Sequence, residues 1–296
     1  MTELHVVPDA DIPGVVRISR GASLPGPRVG VLGAIHGNET CGLEAIHRLR
    51  RVAETGGLPV AAGTIVLVHG NPAATEQGRR FTEGGEDINR ILDYRFVERL
   101  AREAWTPEHH RALALRPVLE ELDALLDLHS ATEETPPFGI VNDVPASLEL
   151  ARRCGVRAVT RVWSDVRDCV TIGVLARRGR PGVSVECGQH EAEAAVAEAV
   201  DIALRFLRAT GAASGGAPPA GDAMLLEVTD VLRKPSAGFR FASAIRGLDE
   251  LPAGHLVGRD GTIEMRVTDP AIALLPNDTV AVGEDLVYLA RPLVAS

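Results

Sequence analysis

Three apolar runs of strand length, each halting on polar residues, punctuate the first half of the chain. Arg28 to Ile35 stops at His36-Gly37-Asn38-Glu39-Thr40, Gly63 to His69 at Gly70-Asn71-Pro72, and Leu122 to Leu128 at His129-Ser130. Runs this short read as buried strands. Between them, Cys41 to Val52 carries Leu43, Ile46, Leu49 and Val52 at spacings of three, the pattern of one buried helical face. Pro107 to Glu121 reads as a second helix, and the stretch from Gly70 to Arg90 as a polar loop. Ala146 to Cys154 then reads as helix, Gly182 to Cys187 as strand, and Glu191 to Ala209 as a long Ala-rich amphipathic helix. Strands alternating with helices predict a three-layer α/β/α core around a mixed, mostly parallel sheet.

After residue 210 the composition changes. Gly211-Ala-Ala-Ser-Gly-Gly-Ala-Pro-Pro-Ala-Gly221 has nothing to bury and reads as a linker. Beyond it, Leu225 to Val231, Thr262 to Val267, Asp278 to Val282 and Leu286 to Ala290 are short β-prone runs between turn residues. The expected organisation is a catalytic α/β domain over 1–210, a linker over 211–221 and a smaller β-rich domain over 222–296.

Charge narrows the partners. Forty acidic against thirty-one basic residues give a formal charge of -9, which argues against phosphate attraction as the leading interaction and so against a nucleic-acid binder. Lys234 is the only lysine, so an anion held by this chain is expected to meet arginine, whose planar fork pairs with a carboxylate through two parallel hydrogen bonds. Cys41, Cys154, Cys169 and Cys187 are widely spaced and form no C-x-x-C pair; reduced intracellular thiols are the simple reading, with Cys41 and Cys187 expected to be buried and inert. The first residues lack a basic segment followed by an apolar one, and no apolar run approaches the roughly 20 residues of a membrane span. The expectation is a cytoplasmic protein without membrane association, and self-association into a homo-oligomer stays open.

Chemistry-bearing groups cluster where the strands stop. In a mostly parallel sheet the C-terminal ends of strands share one rim, so His36, Glu39 and His129 can converge although they are far apart in sequence. Two imidazoles and a carboxylate with one position left for water make a catalytic zinc site. The same residues also fit hydrogen-bonded strand ends, because H-x-x-E is a short and common pattern. His69 ends a strand as well. His109-His110, beside Glu108 and Arg111, reads as solvated surface, and His190 as a local hydrogen-bond partner at a helix start or a pocket residue. No G-x-x-x-x-G-K-[ST] or post-strand G-x-G-x-x-G occurs, so a nucleotide cofactor has no support.

Four motifs occur in a fixed order: Gly33-Ala-Ile-His-Gly-Asn-Glu-Thr-Cys-Gly42; Gly70-Asn-Pro72 leading through Arg79-Arg80-Phe81 to Asp87-Ile-Asn-Arg90; Asp127-Leu-His-Ser130; and Val185-Glu-Cys-Gly188. Together they resemble the succinylglutamate desuccinylase and aspartoacylase family, itself similar to zinc carboxypeptidases, over roughly residues 28 to 208. The resemblance implies a zinc-carboxypeptidase-like core and one zinc ion per chain held by His36, Glu39 and His129. It implies Glu186 as the catalytic carboxylate, and Asn89 and Arg90 as the groups that bind the substrate's carboxylate. The implied substrate is a small N-acyl amino acid. Asp127 reads either as a residue orienting a ligand or as a strand-end turn former.

Two departures matter. Ala73 stands where aspartoacylase-like members carry an arginine after Asn-Pro, so Arg80, or Arg79 beside it, is the candidate for positive charge near the oxyanion, against the alternative of a solvated loop arginine. Ala176 stands where those members place a second carboxylate-binding arginine, which argues against strict N-acetylaspartate specificity. The leading expectation is a zinc-dependent amidohydrolase that removes an N-acyl group from an amino acid. A metallocarboxypeptidase acting on peptides shares the zinc motif, and a non-catalytic carboxylate-binding module would keep the arginines without needing Glu186.

Overall fold

The computed structural model describes residues 4–21, 25–92, 97–98, 100–162 and 169–293. The centre of its main sheet is built from β3 (Arg28–Gly33), β4 (Thr64–His69), β5 (Ala124–Ala131) and β8 (Gly182–Gln189), which pair in parallel in the order β4-β3-β5-β8. On one side β2 (Val15–Arg20) and β1 (Leu4–Pro8) add antiparallel strands. On the other, β6 (Phe138–Val141) runs antiparallel to β8, and β7 (Ala158–Arg161) runs parallel to β6. The sheet is therefore mixed, as expected.

Helices cover both faces. Residues α1 (Thr40–Glu54), α5 (Pro145–Cys154) and α7 (Glu193–Ala209) pack on the face presenting Val31, Leu67, Leu126 and Val185. The opposite face presents Leu32, Val66 and Leu125 to α3 (Ile88–Ile91), α4 (Pro107–Glu121) and α6 (Thr171–Ala176). Successive strand residues alternate between the two clusters, so the fully apolar runs in the sequence are strands buried on both sides.

The sheet continues into the C-terminal part. Strand β9 (Met224–Arg233) pairs in parallel with β7, and β15 (Asp285–Pro292), β14 (Ala271–Leu274) and β11 (Glu250–Leu251) follow antiparallel. Strands β10 (Arg240–Phe241), β12 (Leu256–Asp260) and β13 (Ile263–Arg266) form a separate small sheet. At the start of 211–221, Ala212 and Ala213 are buried and bond to the backbone of residues 59–61 through Ala61 N to Ala212 O and Ser214 N to Pro59 O, both 2.8 Å.

Two local readings change. The polar stretch after Gly70 contains short helices: α2 (Pro72–Glu76) is capped by the Asn71 side chain, which accepts from Ala74 N at 3.2 Å, and α3 by Asp87. Asp278 to Val282 is a turn, not a strand. Asn277 Oδ1 accepts from Thr279 N at 2.9 Å, folding the segment on itself, and the strand in this region is β14 just before it.

Candidate metal centre and active site

Close packing at the end of β3 brings the first two candidate ligands to the rim. Ala34 takes a left-handed turn at φ 52, and the chain then enters α1 beneath β5. This entry works because Gly33 and Gly42 touch backbone to backbone. A Cβ on Gly33 would lie 2.4 Å from the Gly42 carbonyl carbon, and one on Gly42 would lie 2.7 Å from Leu128 Cβ. Helix α1 therefore starts against the end of β5, with Glu39 just before it and His129 opposite.

His36, Glu39 and His129 offer ligand atoms that lie within 4.8 Å of one another, and all three side chains are buried. His36 Nδ1 stands 2.8 Å from Glu39 Oε1, and His129 Nδ1 stands 2.9 Å from Glu39 Oε2. Both imidazoles thus turn the same nitrogen toward one carboxylate. Their outer nitrogens meet other acids: His36 Nε2 is 3.0 Å from Asp87 Oδ1, and His129 Nε2 is 3.0 Å from Asp127 Oδ2. Asp87 behind His36 fixes that ring and strengthens its inward nitrogen as a donor, the arrangement in which histidines hold metals, and Asp127 places a negative charge behind His129. The donor set fits a zinc-type divalent cation.

Electrostatics follows from this crowding. Burial disfavours the charged form of each imidazole, and Arg80 adds to that at His36, but the facing carboxylates win and raise the pKa of His36 and, more strongly, of His129. Burial likewise pushes the Glu39 carboxyl up, yet His36 and His129 hold it well below the usual range. Glu186 goes the other way. Buried, and with the Glu39 charge adding to the effect of burial against His129, its carboxyl is pushed up to about 7.

Glu186 is opposite His129 in the β5–β8 register, and both line one cavity of about 590 Å³ with His36 and Glu39. Glu186 Oε2 is buried and has no hydrogen-bond partner among the described residues. Asn89, Arg90 and Arg80 line the same cavity, so every candidate site residue meets there. Arg80 is exposed but ion-paired: its Nη2 is 2.9 Å and its Nε 3.2 Å from Asp87 Oδ2, and Nη1 is 3.4 Å from Glu39 Oε1. Arg79 does not line the cavity.

Two supporting residues had no role assigned from the sequence. Asp87 joins His36 to Arg80, and its place in the Asp-x-Asn-Arg motif was the available signal. Thr171, at the start of α6, donates its hydroxyl to Asp127 Oδ2, while its backbone N–H donates to Asn89 Oδ1 at 2.9 Å. Asp127 is fully buried, with Oδ2 3.0 Å from His129 Nε2. The C-terminal part also contributes to the wall, through Asn277, Asp285 and Tyr288 among others, and Asn277 Nδ2 donates to Thr132 Oγ1 at 3.1 Å.

The remaining histidines divide. His69 bonds Thr75 Oγ1 through Nε2 at 2.9 Å and is not part of the cavity wall. His109 is fully buried rather than solvated, because its Nδ1 caps α4 by accepting from Thr106 N at 3.1 Å. His190 lines the cavity. Cys41, Cys154 and Cys187 are free, buried thiols, and Cys169 is a free thiol that is half-buried.

The model of the succinylglutamate desuccinylase/aspartoacylase catalytic domain matches residues 25–211. The chain belongs to that family. A succinylglutamate desuccinylase of Pseudomonas paraeruginosa is 40% identical over 80 residues, a stretch spanning 27% of this chain and 23% of that enzyme. The fold is similar to that of a succinylglutamate desuccinylase/aspartoacylase from Rhodobacter sphaeroides, with a TM-score of 0.75 and 18% identity over 95% of this chain and 89% of that one. An aspartoacylase family protein from Mesorhizobium loti aligns over 99% of both chains at 23% identity, with a TM-score of 0.72. Among the described residues, no helix is long and apolar enough to cross a membrane.

Proposed function

We propose that this family member is a zinc-dependent amidohydrolase that removes an N-acyl group from an amino acid or a close relative. The observation that carries the reading is the meeting of Glu186 with His36, Glu39 and His129 in one cavity. His36, Glu39 and His129 would hold a divalent cation, which would supply Lewis acidity to acidify water and polarise the scissile carbonyl. Glu186, with a carboxyl pushed up to about 7, takes the proton of the attacking water and returns it to the departing nitrogen. Asn89 and Arg90 hold the carboxylate of the amino-acid half, Arg90 through paired guanidinium hydrogen bonds. Arg80 keeps Asp87 and Glu39 in place and presents positive charge to the cavity where the carbonyl oxygen becomes anionic.

The contribution of Asn277, Asp285 and Tyr288 to the cavity wall favours a small substrate over a peptide chain, and so a deacylase over a carboxypeptidase. The acidic balance of the chain supports a small-molecule partner rather than a nucleic acid. The test is metal analysis of the purified protein together with a hydrolysis screen over succinyl, acetyl and formyl amino acids, diamino acids included. Turnover that is lost in Glu186→Gln is the expected result. A metal-loaded, folded protein that hydrolyses none of the panel, and is unchanged by Glu186→Gln, would contradict the proposal.

A further inference from the structure

The loop that carries Arg80 is held by an acid that the proposed chemistry does not use. Glu108, in the charged stretch at the start of α4, is fully buried. Its Oε1 accepts from Thr82 N at 2.8 Å and from Asn71 Nδ2 at 3.2 Å, and its Oε2 accepts from Thr82 Oγ1 at 3.0 Å. A Cβ on Gly85 would lie 2.2 Å from Glu108 Oε2, so the chain closes over the carboxylate and leaves no room for a side chain there. Burial pushes the Glu108 carboxyl up, but the Thr82 N–H and the Asn71 amide hold it below the usual range, and it stays ionised at neutral pH. Among the described residues no cation pairs with it. A buried charge is thus spent on neutral donors, two of which belong to Thr82.

Thr82 stands two residues after Arg80. On its other side the loop rests on the His36 turn: Gly37 N donates to Arg80 O at 3.1 Å, and a Cβ on Gly37 would lie 2.6 Å from Arg79 O. Arg80 is therefore gripped at its own carbonyl from the side of the metal ligands and, two residues on, by Glu108 from α4. The same turn of α4 also holds the beginning of the loop, since Arg111 Nε donates to Gly70 O at 2.7 Å. An arginine side chain is long and rotatable, so the place of its backbone decides whether the guanidinium reaches the cavity while it stays 2.9 Å from Asp87 Oδ2.

The structure assigns to Glu108 the role of a positioning residue for Arg80: through Thr82 it fixes the loop so that the guanidinium meets the oxygen of the reacting carbonyl as that oxygen becomes anionic. This inference rests on the proposed role of Arg80 at the oxyanion. Asp87 is held separately, because its Oδ1 accepts from Asn89 N at 2.8 Å at the start of α3. Loss of Glu108 is therefore expected to leave the carboxylate behind His36 in place, and metal binding with it.

The test measures kcat and KM for Glu108→Ala, Glu108→Gln, Arg80→Ala and the Arg80→Ala/Glu108→Ala double variant on the best N-acyl amino acid of the panel, with metal content and melting temperature recorded for each. In Glu108→Ala, kcat is expected to fall about ten-fold or more while KM changes less than about two-fold, because the misplaced guanidinium acts in the transition state. Glu108→Gln is expected to recover most of the loss: its Oε1 still accepts from Thr82 N and Asn71, and its amide donates to Thr82 Oγ1. In the Arg80→Ala background the Glu108→Ala change is expected to cost less than about two-fold, since no guanidinium is left to position. Losses that multiply, or an unchanged kcat in a folded Glu108→Ala, would overturn the assignment. If Glu108→Ala does not fold, Thr82→Val deletes only the hydroxyl contact and is expected to lower kcat about three-fold, again only when Arg80 is present; no loss there overturns the assignment. Amide exchange reads the loop without turnover. The Gly37 N–H, whose acceptor is Arg80 O, is expected to exchange about ten-fold faster in Glu108→Ala, or in Thr82→Val if the former does not fold, and near the wild-type rate in Glu108→Gln. Equal protection overturns the inference even in a protein that hydrolyses none of the panel, an outcome that by itself counts against the proposed reaction.

Discussion

Asp87 Oδ1 stands 3.0 Å from His36 Nε2, on the far edge of the ring from Glu39. The contact fixes which nitrogen of His36 faces inward, and the same carboxylate binds Arg80. Removing it leaves the ring free to turn and Arg80 without its main anchor. Asp87→Ala is expected to weaken metal binding 10- to 100-fold, roughly the effect of deleting a carboxylate behind a ligating histidine. Competition with a chromophoric chelator measures this directly, and an unchanged affinity would show that Asp87 does not support the site.

Glu186 separates binding from chemistry. It is not one of the three converging ligands, so Glu186→Gln is expected to retain the metal and the fold. The amide cannot accept a proton, and kcat is expected to fall by about 10²- to 10⁴-fold with a much smaller change in KM. Loss of metal together with activity would instead assign Glu186 to the coordination shell.

His69 gives a stability prediction away from the site. Burial, reinforced by Arg111 and His47, lowers its pKa from the ordinary 6.5 to about 4. The folded state resists protonation at this ring while the unfolded state does not. The ring is therefore neutral in both states above about pH 6.5 and costs nothing there, and stability is lost as pH falls from 6.5 toward 4. Between pH 7 and pH 5 this amounts to about 1 to 2 kcal/mol after allowance for its partial exposure. Urea unfolding at the two pH values is expected to show a smaller acid loss in His69→Gln than in wild type. Parallel losses would remove His69 from the acid sensitivity.

The parts of the fold legible in the sequence are those whose signal is local. Strands β3, β4, β5 and β8 are buried on both faces, so each appears as an apolar run, and the polar residues that end β3 and β5 lie on the rim they form. Strands β6 and β14 have four residues each, too few to show a period, and Ala271 to Leu274 carries no turn signal of its own. Asp278 to Val282 has β-prone residues but is tied into a turn by Asn277. The supporting residues were hidden for a different reason. Asp87 reaches His36 across 51 residues and Thr171 reaches Asp127 across 44, so their roles depend on contacts that no window along the chain contains. His109 looked exposed because its neighbours are charged, whereas its burial comes from capping α4.

Gly42 tests whether close packing of α1 positions the ligands. Alanine in place of glycine inside a helix is ordinarily favourable by about 1 kcal/mol. At Gly42 the added Cβ would lie 2.7 Å from Leu128 Cβ, 2.9 Å from Gly33 Cα and 2.9 Å from Leu128 O, contacts that include backbone and cannot be relieved by a rotamer change. Overpacking of this kind costs roughly 1 to 3 kcal/mol, so it outweighs the gain in helix propensity. Gly42→Ala is expected to lower stability by about 1 to 2 kcal/mol. It also moves the start of α1 away from β5, and Glu39 with it, so metal affinity is expected to fall further than the loss of stability alone accounts for. Denaturant unfolding with and without bound metal separates the two effects. A variant as stable as wild type, with undiminished metal affinity, would mean that the α1–β5 contact is not what brings Glu39 to His129.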